Sequence, residues 1–209
     1  MPDSYYQDAL QHKIFNILSE AADDMNVEAY VIGGFVRDFF LKRGKAEDID
    51  VVAVGSGIEL AKKVSEKLPG KPPVKVFKTY GTAMLKIFDL EVEFVGARKE
   101  SYTENSRNPE VEQGTLADDQ NRRDFTINAL ALQLNKKDFG KLLDPFKGLE
   151  DLKTQLIKTP LDPEVTFSDD PLRMIRAIRF ASQLRFKIDQ KSIQAIKDHA
   201  ERIDIVSKE

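Results

Sequence analysis

A mixed α/β head followed by an all-helical segment is the fold class this sequence predicts, and three patterns predict it. Strand-like and helix-like runs alternate between Tyr30 and Phe94. Apolar residues recur at helical spacing near the N-terminus, at Leu10, Ile14, Ile17, Leu18 and Ala21. From Asp162 onward the pattern becomes entirely helical. With 209 residues, 41% hydrophobic and 32% charged, the chain has enough apolar matter for one sizeable core and a small appendage.

Taken in order, Tyr30-Val31-Ile32 reads as a short strand that Gly33-Gly34 breaks before a helix from Phe35 to Leu41. The apolar run Ile49 to Val54 reads as a buried strand, headed by Asp48 and Asp50. Ile58 to Leu68 supplies a crossover helix, and Pro69-Gly-Lys-Pro-Pro73 then punctuates the chain. Val74 to Val95 follows as a strand pair containing Ala83 to Phe88 and Leu90 to Val95. Glu100 to Gln120 carries many charges, Asn, Pro and Gly with few apolar residues, and predicts a mobile loop. Thr166 or Ser168 is placed to cap a helix from about Asp169 to Leu184, with another from Gln190 to Arg202. There are no internal repeats.

The chemistry starts with Val31-Ile-Gly-Gly-Phe-Val-Arg-Asp38, followed ten residues after Asp38 by Asp48-Ile-Asp50. Side chains at i and i+2 of a strand share a face, so the two carboxylates can converge on a hard cation. Mg²⁺ takes oxygen ligands and keeps substrate phosphates and water in its shell. Such a site activates an attacking hydroxyl and neutralises a departing pyrophosphate. Taken alone, Asp-x-Asp is also a common strand-end turn pattern. Upstream, glycines let backbone amides approach an anion, and a helix N-terminus adds partial positive charge. Arg37 lies within reach of a phosphate there, with Asp38 free to orient it. A plain strand-to-helix turn has the same pattern, and no P-loop run occurs anywhere. Together the cradle and the acidic pair point to nucleotidyl transfer. A third carboxylate is expected from Leu90-Glu91-Val92-Glu93-Phe94-Val95, where alternation puts Glu91 and Glu93 on one face and phase does not choose between them. Arg122 and Arg123 suit phosphate oxygens, while Asp124, Thr126 and Asn128 fit a helix cap equally well.

The order Gly-Gly-x-Val-Arg-Asp, Asp-x-Asp and Arg122-Arg-Asp-Phe-Thr-Ile-Asn-Ala129 resembles class II tRNA nucleotidyltransferases and bacterial poly(A) polymerases. Leu143-Asp-Pro-Phe-Lys-Gly-Leu-Glu-Asp-Leu152 and Phe167-Ser-Asp-Asp-Pro-Leu-Arg-Met-Ile-Arg-Ala-Ile-Arg-Phe180 extend the likeness, which spans about residues 28 to 200. The resemblance implies a polymerase-β-like nucleotidyltransferase head over 1–145 and the start of a helical neck over 146–209, continued in relatives by further helices. It implies that Asp48 and Asp50 hold Mg²⁺, that Glu93 is the third catalytic acid and that Glu91 is structural. It puts Gly33, Gly34 and Arg37 at the incoming triphosphate, and Arg122, Arg123, Asp124 and Asn128 beside the nucleotide's sugar and phosphates. It favours Asp170 and Arg173 as base readers, although the family motif usually opens Glu-Asp and this chain has Asp169-Asp170.

Chemistry supports that last assignment. Residues three apart at a helix start share a face. A carboxylate accepting from an exocyclic amine, with a guanidinium donating to a ring nitrogen, matches the pairing edges of cytosine and adenine and mismatches uracil and guanine. An N-terminal acidic residue and an i,i+3 ion pair would look the same in sequence. Arg173, Arg176 and Arg179 recur every three residues as a basic stripe, read either as further nucleotide contacts or as a solvated face.

The expected reaction adds C and A from CTP and ATP to a tRNA 3′ end. Its alternatives are poly(A) polymerisation, CC-only or A-only addition, a non-catalytic nucleotide- or RNA-binding module, and an antibiotic-modifying transferase. A net charge of −3 is low for a protein that holds RNA, so the basic surface is expected to be local or in helices beyond this segment. With no Cys, disulfides and thiolate zinc sites are excluded. His12 and His199 are read as surface residues too far apart to form a site. No signal segment or membrane-length apolar run occurs, which predicts a cytoplasmic protein with no membrane partner. Nothing in the sequence sets the oligomeric state.

Overall fold

The computed structural model describes residues 4–44, 48–101 and 109–206. Within them, α1 (Lys13–Asp24), β1 (Ala29–Ile32), α2 (Gly34–Phe40), β2 (Asp48–Ala53) and α3 (Gly57–Lys67) come first. β3 (Lys75–Phe77), β4 (Thr82–Ile87), β5 (Leu90–Gly96), β6 (Arg98–Ser101), β7 (Glu110–Gln113) and α4 (Leu116–Asn121) follow. The chain continues through β8 (Ala131–Gln133), β9 (Leu142–Leu143), α5 (Gly148–Thr154) and β10 (Leu156–Ile157). α6 (Pro163–Asp169), α7 (Leu172–Leu184), β11 (Lys187–Ile188) and α8 (Gln190–Asp198) complete it.

Seven strands form one mixed sheet in the order β3-β4-β5-β2-β1-β8-β9. Only β2 and β5 run parallel, joined through the α3 crossover and the β3–β4 hairpin, and the other neighbours are antiparallel. Period-two alternation sends Ile49, Val51 and Ala53 of β2 into the main core with Ile14, Phe15 and Leu18 of α1 and Leu60 and Val64 of α3. Val52 joins a smaller cluster on the opposite face with Tyr30, Ile32, Ala97, Leu116 and Ala131. Asp48 and Asp50 lie on that second face, which the main helical layer leaves open. A Lys67–Asp24 ion pair of 2.9 Å links α3 to α1 at the surface.

Several elements differ from the sequence expectation. Val74 to Val95 holds three strands rather than two, because the residues before Thr82 form a separate edge strand, β3. Outside residues 102–108, which are not described, Glu100 to Gln120 is ordered as the β6–β7 hairpin and α4. The helix expected from about Asp169 to Leu184 is α7, which starts at Leu172, and a further helix, α6, precedes it, so two helices meet here. Pro171 disfavours the helical region for the residue before it, and Asp170 is extended at φ −136° and ψ 100°. The first of them, α6, is capped by Asp162, which accepts from Glu164 N, while Thr166 is inside the helix and donates back to the Asp162 carbonyl. The last helix ends at Asp198 and passes into a 3-10 turn over Ala200–Ile205. The helical part also contains one two-residue parallel ladder, β10 with β11. His12 is exposed and caps α1, whereas His199 is half-buried with Nε2 2.8 Å from Glu164.

Candidate active site

Register brings the acidic residues together. In the parallel β2–β5 ladder Asp50 pairs with Glu93 and Asp48 with Glu91, so four carboxylates share the open face. Lys86 of β4 ion-pairs with Glu91. Glu93 instead lies beside Asp50 and accepts from the Thr82 hydroxyl. Its carboxyl is pushed up by partial desolvation and by the Asp50 charge, and Asp50's is pushed up by burial despite Arg123 nearby. The sequence left Glu91 and Glu93 equivalent by phase, and their partners now separate them.

Gly33 turns the chain out of β1 with φ +81°, a conformation that favours glycine. A Cβ there would lie 3.1 Å from Arg123 Nη1 and 3.3 Å from Asp50 Oδ2. The strand-to-helix turn, the guanidinium of Arg123 and the carboxylate of Asp50 therefore meet at one point. The first turn of a helix leaves amide donors without intrahelical partners, and α2 begins here at Gly34.

Arg123 and Arg122 are both held from behind by Asp119, which is fully buried. Arg122 donates to it from Nε at 2.9 Å and Nη2 at 2.5 Å, and Arg123 donates from Nε at 3.1 Å. Arg122 also reaches Glu100 of β6 at 3.2 Å, and Arg98 reaches the same carboxylate at 2.8 Å. Asp119 and Glu100 were missed in the sequence because they fall within the stretch read as loop. Thr115-Leu-Ala-Asp118 has the spacing of a capping box, and Asp119 stands three and four residues before the two arginines; these signals mark a helix there.

Arg37 is buried behind the Gly33-Gly34 turn rather than open to solvent. Its Nε and Nη2 grip Asp38, each at 2.9 Å, and Nη1 donates to Asn128 Oδ1 at 2.8 Å. Asn128 donates in turn to Asp124 Oδ1 at 3.0 Å, and Asp124 also accepts from the Phe125 amide. The other Asp124 oxygen accepts from Arg176 of α7, at 2.8 Å from Nε and 2.6 Å from Nη2. The residues Asn121 to Leu132 thus form no long helix but a 3-10 turn at Thr126–Asn128 that feeds β8.

The arginine stripe is not a uniform solvated face. Arg173 is buried, with Nη2 4.0 Å from Glu100; Arg176 is half-buried against Asp124; Arg179 is exposed, with its guanidinium 5.0 Å from the Phe180 ring. Asp170 precedes α7 instead of sitting in it, and its Oδ1 accepts from the Leu172 amide. The Asp169 carboxyl is raised by burial, against the pull of Arg173 and Arg202. A cavity of about 200 Å³ opens where Arg122 of the head meets Asp169 and Arg173 of the helical segment. A larger cavity of about 550 Å³ is lined by Phe15, Phe35, Phe39 and Phe88 and contains none of the β2 or β5 carboxylates.

Among the described residues no three His, Cys, Asp or Glu side chains form a ready-made metal cage. The donor set nevertheless suits Mg²⁺, which binds through one or two carboxylates and completes its shell with phosphate oxygens and water. Burial, with the Asp48 and Asp119 charges added to it, disfavours the charged form of Asp50, and a divalent cation would relieve that.

An open-faced mixed sheet with paired carboxylates, a glycine turn and anchored arginines defines this α/β head. The chain belongs to the poly A polymerase head domain family, whose model matches residues 29–158. It is 43% identical over 171 residues to the A-adding tRNA nucleotidyltransferase of Aquifex aeolicus, covering 82% of this chain and 20% of that protein. Among solved structures it resembles a CCA-adding enzyme in complex with CTP, at TM-score 0.80 and 35% identity over 96% of this chain and 45% of that one. It also resembles a tRNA nucleotidyltransferase complexed with a primer tRNA and an incoming ATP analog, at TM-score 0.76 and 38% identity over 88% of this chain and 50% of that one. The chain spans half or less of the length of each of these relatives.

Proposed function

We propose that this chain is the catalytic head and base-reading segment of a template-independent RNA nucleotidyltransferase that adds C and A from CTP and ATP to the tRNA 3′ end. The observation that carries the reading is the register of Asp50 with Glu93 beside Asp48, next to the Gly33 turn and Arg123. The likeness to tRNA nucleotidyltransferases bound to CTP or to tRNA and an ATP analog supports the substrate class.

In this reading Asp48 and Asp50 hold Mg²⁺, with Glu93 as the third acid. When bound there, the ion would neutralise phosphate charge and lower the pKa of the attacking hydroxyl. The terminal hydroxyl forms a bond to the α-phosphorus, the bond to the β-phosphate oxygen breaks, and pyrophosphate leaves with the hydroxyl proton passing to solvent or a carboxylate. Arg123 and Arg122, held by Asp119, present charge to the sugar-phosphate side. Asp170 and Arg173 read the base edge that cytosine and adenine share.

The test is extension of tRNA lacking 3′ CCA, and of tRNA ending in CC, with Mg²⁺ and each nucleotide alone and together, resolved to one base. Addition that stops at CCA supports the reading. A second reading, A-only addition, is favoured by the identity to an A-adding relative, and it predicts one A on the CC-ending substrate and nothing on the shorter one. A long adenylate tail means poly(A) polymerisation, and no extension by the full-length protein means a binding module.

A further inference from the structure

We infer that Arg37, Asn128, Asp124 and Arg176 form a positioning relay that registers the base-reading helix α7 against the nucleotide turn. Arg176 is therefore a positioning residue for nucleotide choice rather than a nucleotide contact. This inference rests on the proposed function for its ligand but not for its geometry.

The relay is continuous. Asp38 orients Arg37 through both oxygens, Arg37 donates to Asn128, Asn128 donates to Asp124, and Asp124 takes both Nε and Nη2 of Arg176. It starts one turn into α2, directly behind Gly34, and ends in α7 one turn beyond Arg173. The inner links are buried: Arg37, Asp124 and Asn128 are each under a tenth exposed. Phe180 closes the assembly, with the Arg37 and Arg176 guanidiniums 5.2 and 5.3 Å from its ring and Phe125 packed edge-on at 5.7 Å.

Asn128 is the link whose chemistry is most restricted. It lies between a cation and an anion, so its carbonyl must face Arg37 and its amide nitrogen must face Asp124. Only a side chain with an acceptor and a donor on one planar group bridges them. Aspartate at 128 would oppose Asp124 with a like charge, in a setting where an unpaired polar group is costly. Any movement of the turn at Gly33-Gly34 is then transmitted to α7 through hydrogen bonds rather than through loose packing. Arg173, one turn away on the same helix, follows.

The test uses the 209-residue protein with Mg²⁺ and equilibrium binding of CTP, ATP, UTP and GTP, together with amide hydrogen exchange over residues 172–184. In Asn128→Asp, CTP and ATP affinity is expected to fall by about tenfold, with smaller losses for UTP and GTP, so that preference narrows. Exchange in α7 is expected to quicken. In the swapped double variant Asp124→Asn/Asn128→Asp, the amide now at 124 donates to the carboxylate at 128 and accepts from Arg176, so the link is remade in the reverse direction at the cost of the Phe125 amide's acceptor, and preference and protection should partly return. A role confined to stability would quicken α7 exchange in the variants while leaving the ratio of CTP and ATP affinity to UTP and GTP affinity unchanged, and that outcome overturns the positioning role. Arg176→Lys keeps the charge and loses the two-pronged contact; it should shift preference in the same direction by less, and it carries the test if Asn128→Asp fails to fold. Unchanged preference and unchanged α7 exchange in the folded variants overturn the relay. If the unsubstituted protein binds no nucleotide, the proposed function falls and the exchange measurement alone decides the relay.

Discussion

Asp50 and Glu93 face each other across a parallel ladder; burial pushes both carboxyls up, and the Asp50 charge adds to the rise at Glu93. Such a pair is poor for stability and well suited to a divalent cation. Asp50→Asn is therefore expected to abolish Mg²⁺-dependent transfer, by about two orders of magnitude or more, since changes even outside the ligand shell cost about 10–100-fold. It should leave the melting temperature equal or higher, because the amide removes a charge that burial disfavours. Purified Asp50→Asn with retained turnover would sink the metal assignment. Arg173→Ala is expected to reduce the preference for CTP and ATP over UTP and GTP; an unchanged preference would count against base reading. The Asp48/Asp50 pair was legible because a period of two fixes both side chains on one face of an apolar strand. Phase did not separate Glu93 from Glu91, and only the resemblance named Glu93; the Lys86 contact that marks Glu91 comes from β4 and is not visible in the strand's own pattern. Nor was the burial of Arg37 legible, since its partners Asn128 and Phe180 lie far away in sequence.

At the scale of elements, composition misled where charges are satisfied internally. Glu100 to Gln120 reads as solvated, yet Glu100 and Asp119 are buried acceptors for Arg98, Arg122 and Arg123. The helix α4 that presents Asp119 starts at a capping box, in which Thr115 Oγ1 accepts from Asp118 N and Asp118 accepts from Thr115 N. Thr115→Ala is expected to cost about 1 kcal/mol, as loss of such a cap typically does, measured by urea unfolding. The Asp118 carboxyl is held below its usual range, first by the Thr115 amide and then by its hydroxyl. A depressed folded pKa gives stability that is present above the unfolded value and lost as pH falls through the folded one. The stability gap between Asp118→Asn and the unsubstituted protein should therefore be open at neutral pH and close in acid. A gap that widens in acid would contradict the box. Strands β1, β2, β4 and β5 and the crossover helix were legible because their apolar runs are bounded by Gly, Pro or Asp and show their period, whereas the shorter or charged strands β3, β6 and β7 do not. The start of α7 turns on Pro171, and α6 before it was not read because its seven residues are too few for a period to show.

For the whole molecule, the division suggested near residue 145 does not coincide with a gap in the core. Leu152, Ile157, Phe167, Met174, Ala177 and Phe180 belong to the same buried cluster as Phe125, Ile127 and Leu130. Polar links cross the same boundary: Thr126 N donates to the Lys158 carbonyl at 2.8 Å, Thr126 Oγ1 to Asp151 at 2.6 Å, and Arg176 to Asp124. A fragment ending at residue 145 would expose Phe125, Ile127 and Leu130, which have no solvent exposure in the whole chain. Exposing a large apolar side chain costs about 1.5–3 kcal/mol each. Three such losses approach the about 5–15 kcal/mol by which a domain is stable. The full chain is expected to unfold in a single urea transition, with tyrosine fluorescence and circular dichroism coincident. The 1–145 fragment should lack a cooperative transition and bind an apolar dye. Its folding with an unchanged midpoint would show the helical segment to be an independent appendage. Active-site geometry would then have to be set without it, and the relay through Asp124 would lose its structural basis. If instead the fragment collapses, the helix that carries Arg173 is part of what holds the head together, and nucleotide choice and head stability cannot be varied separately.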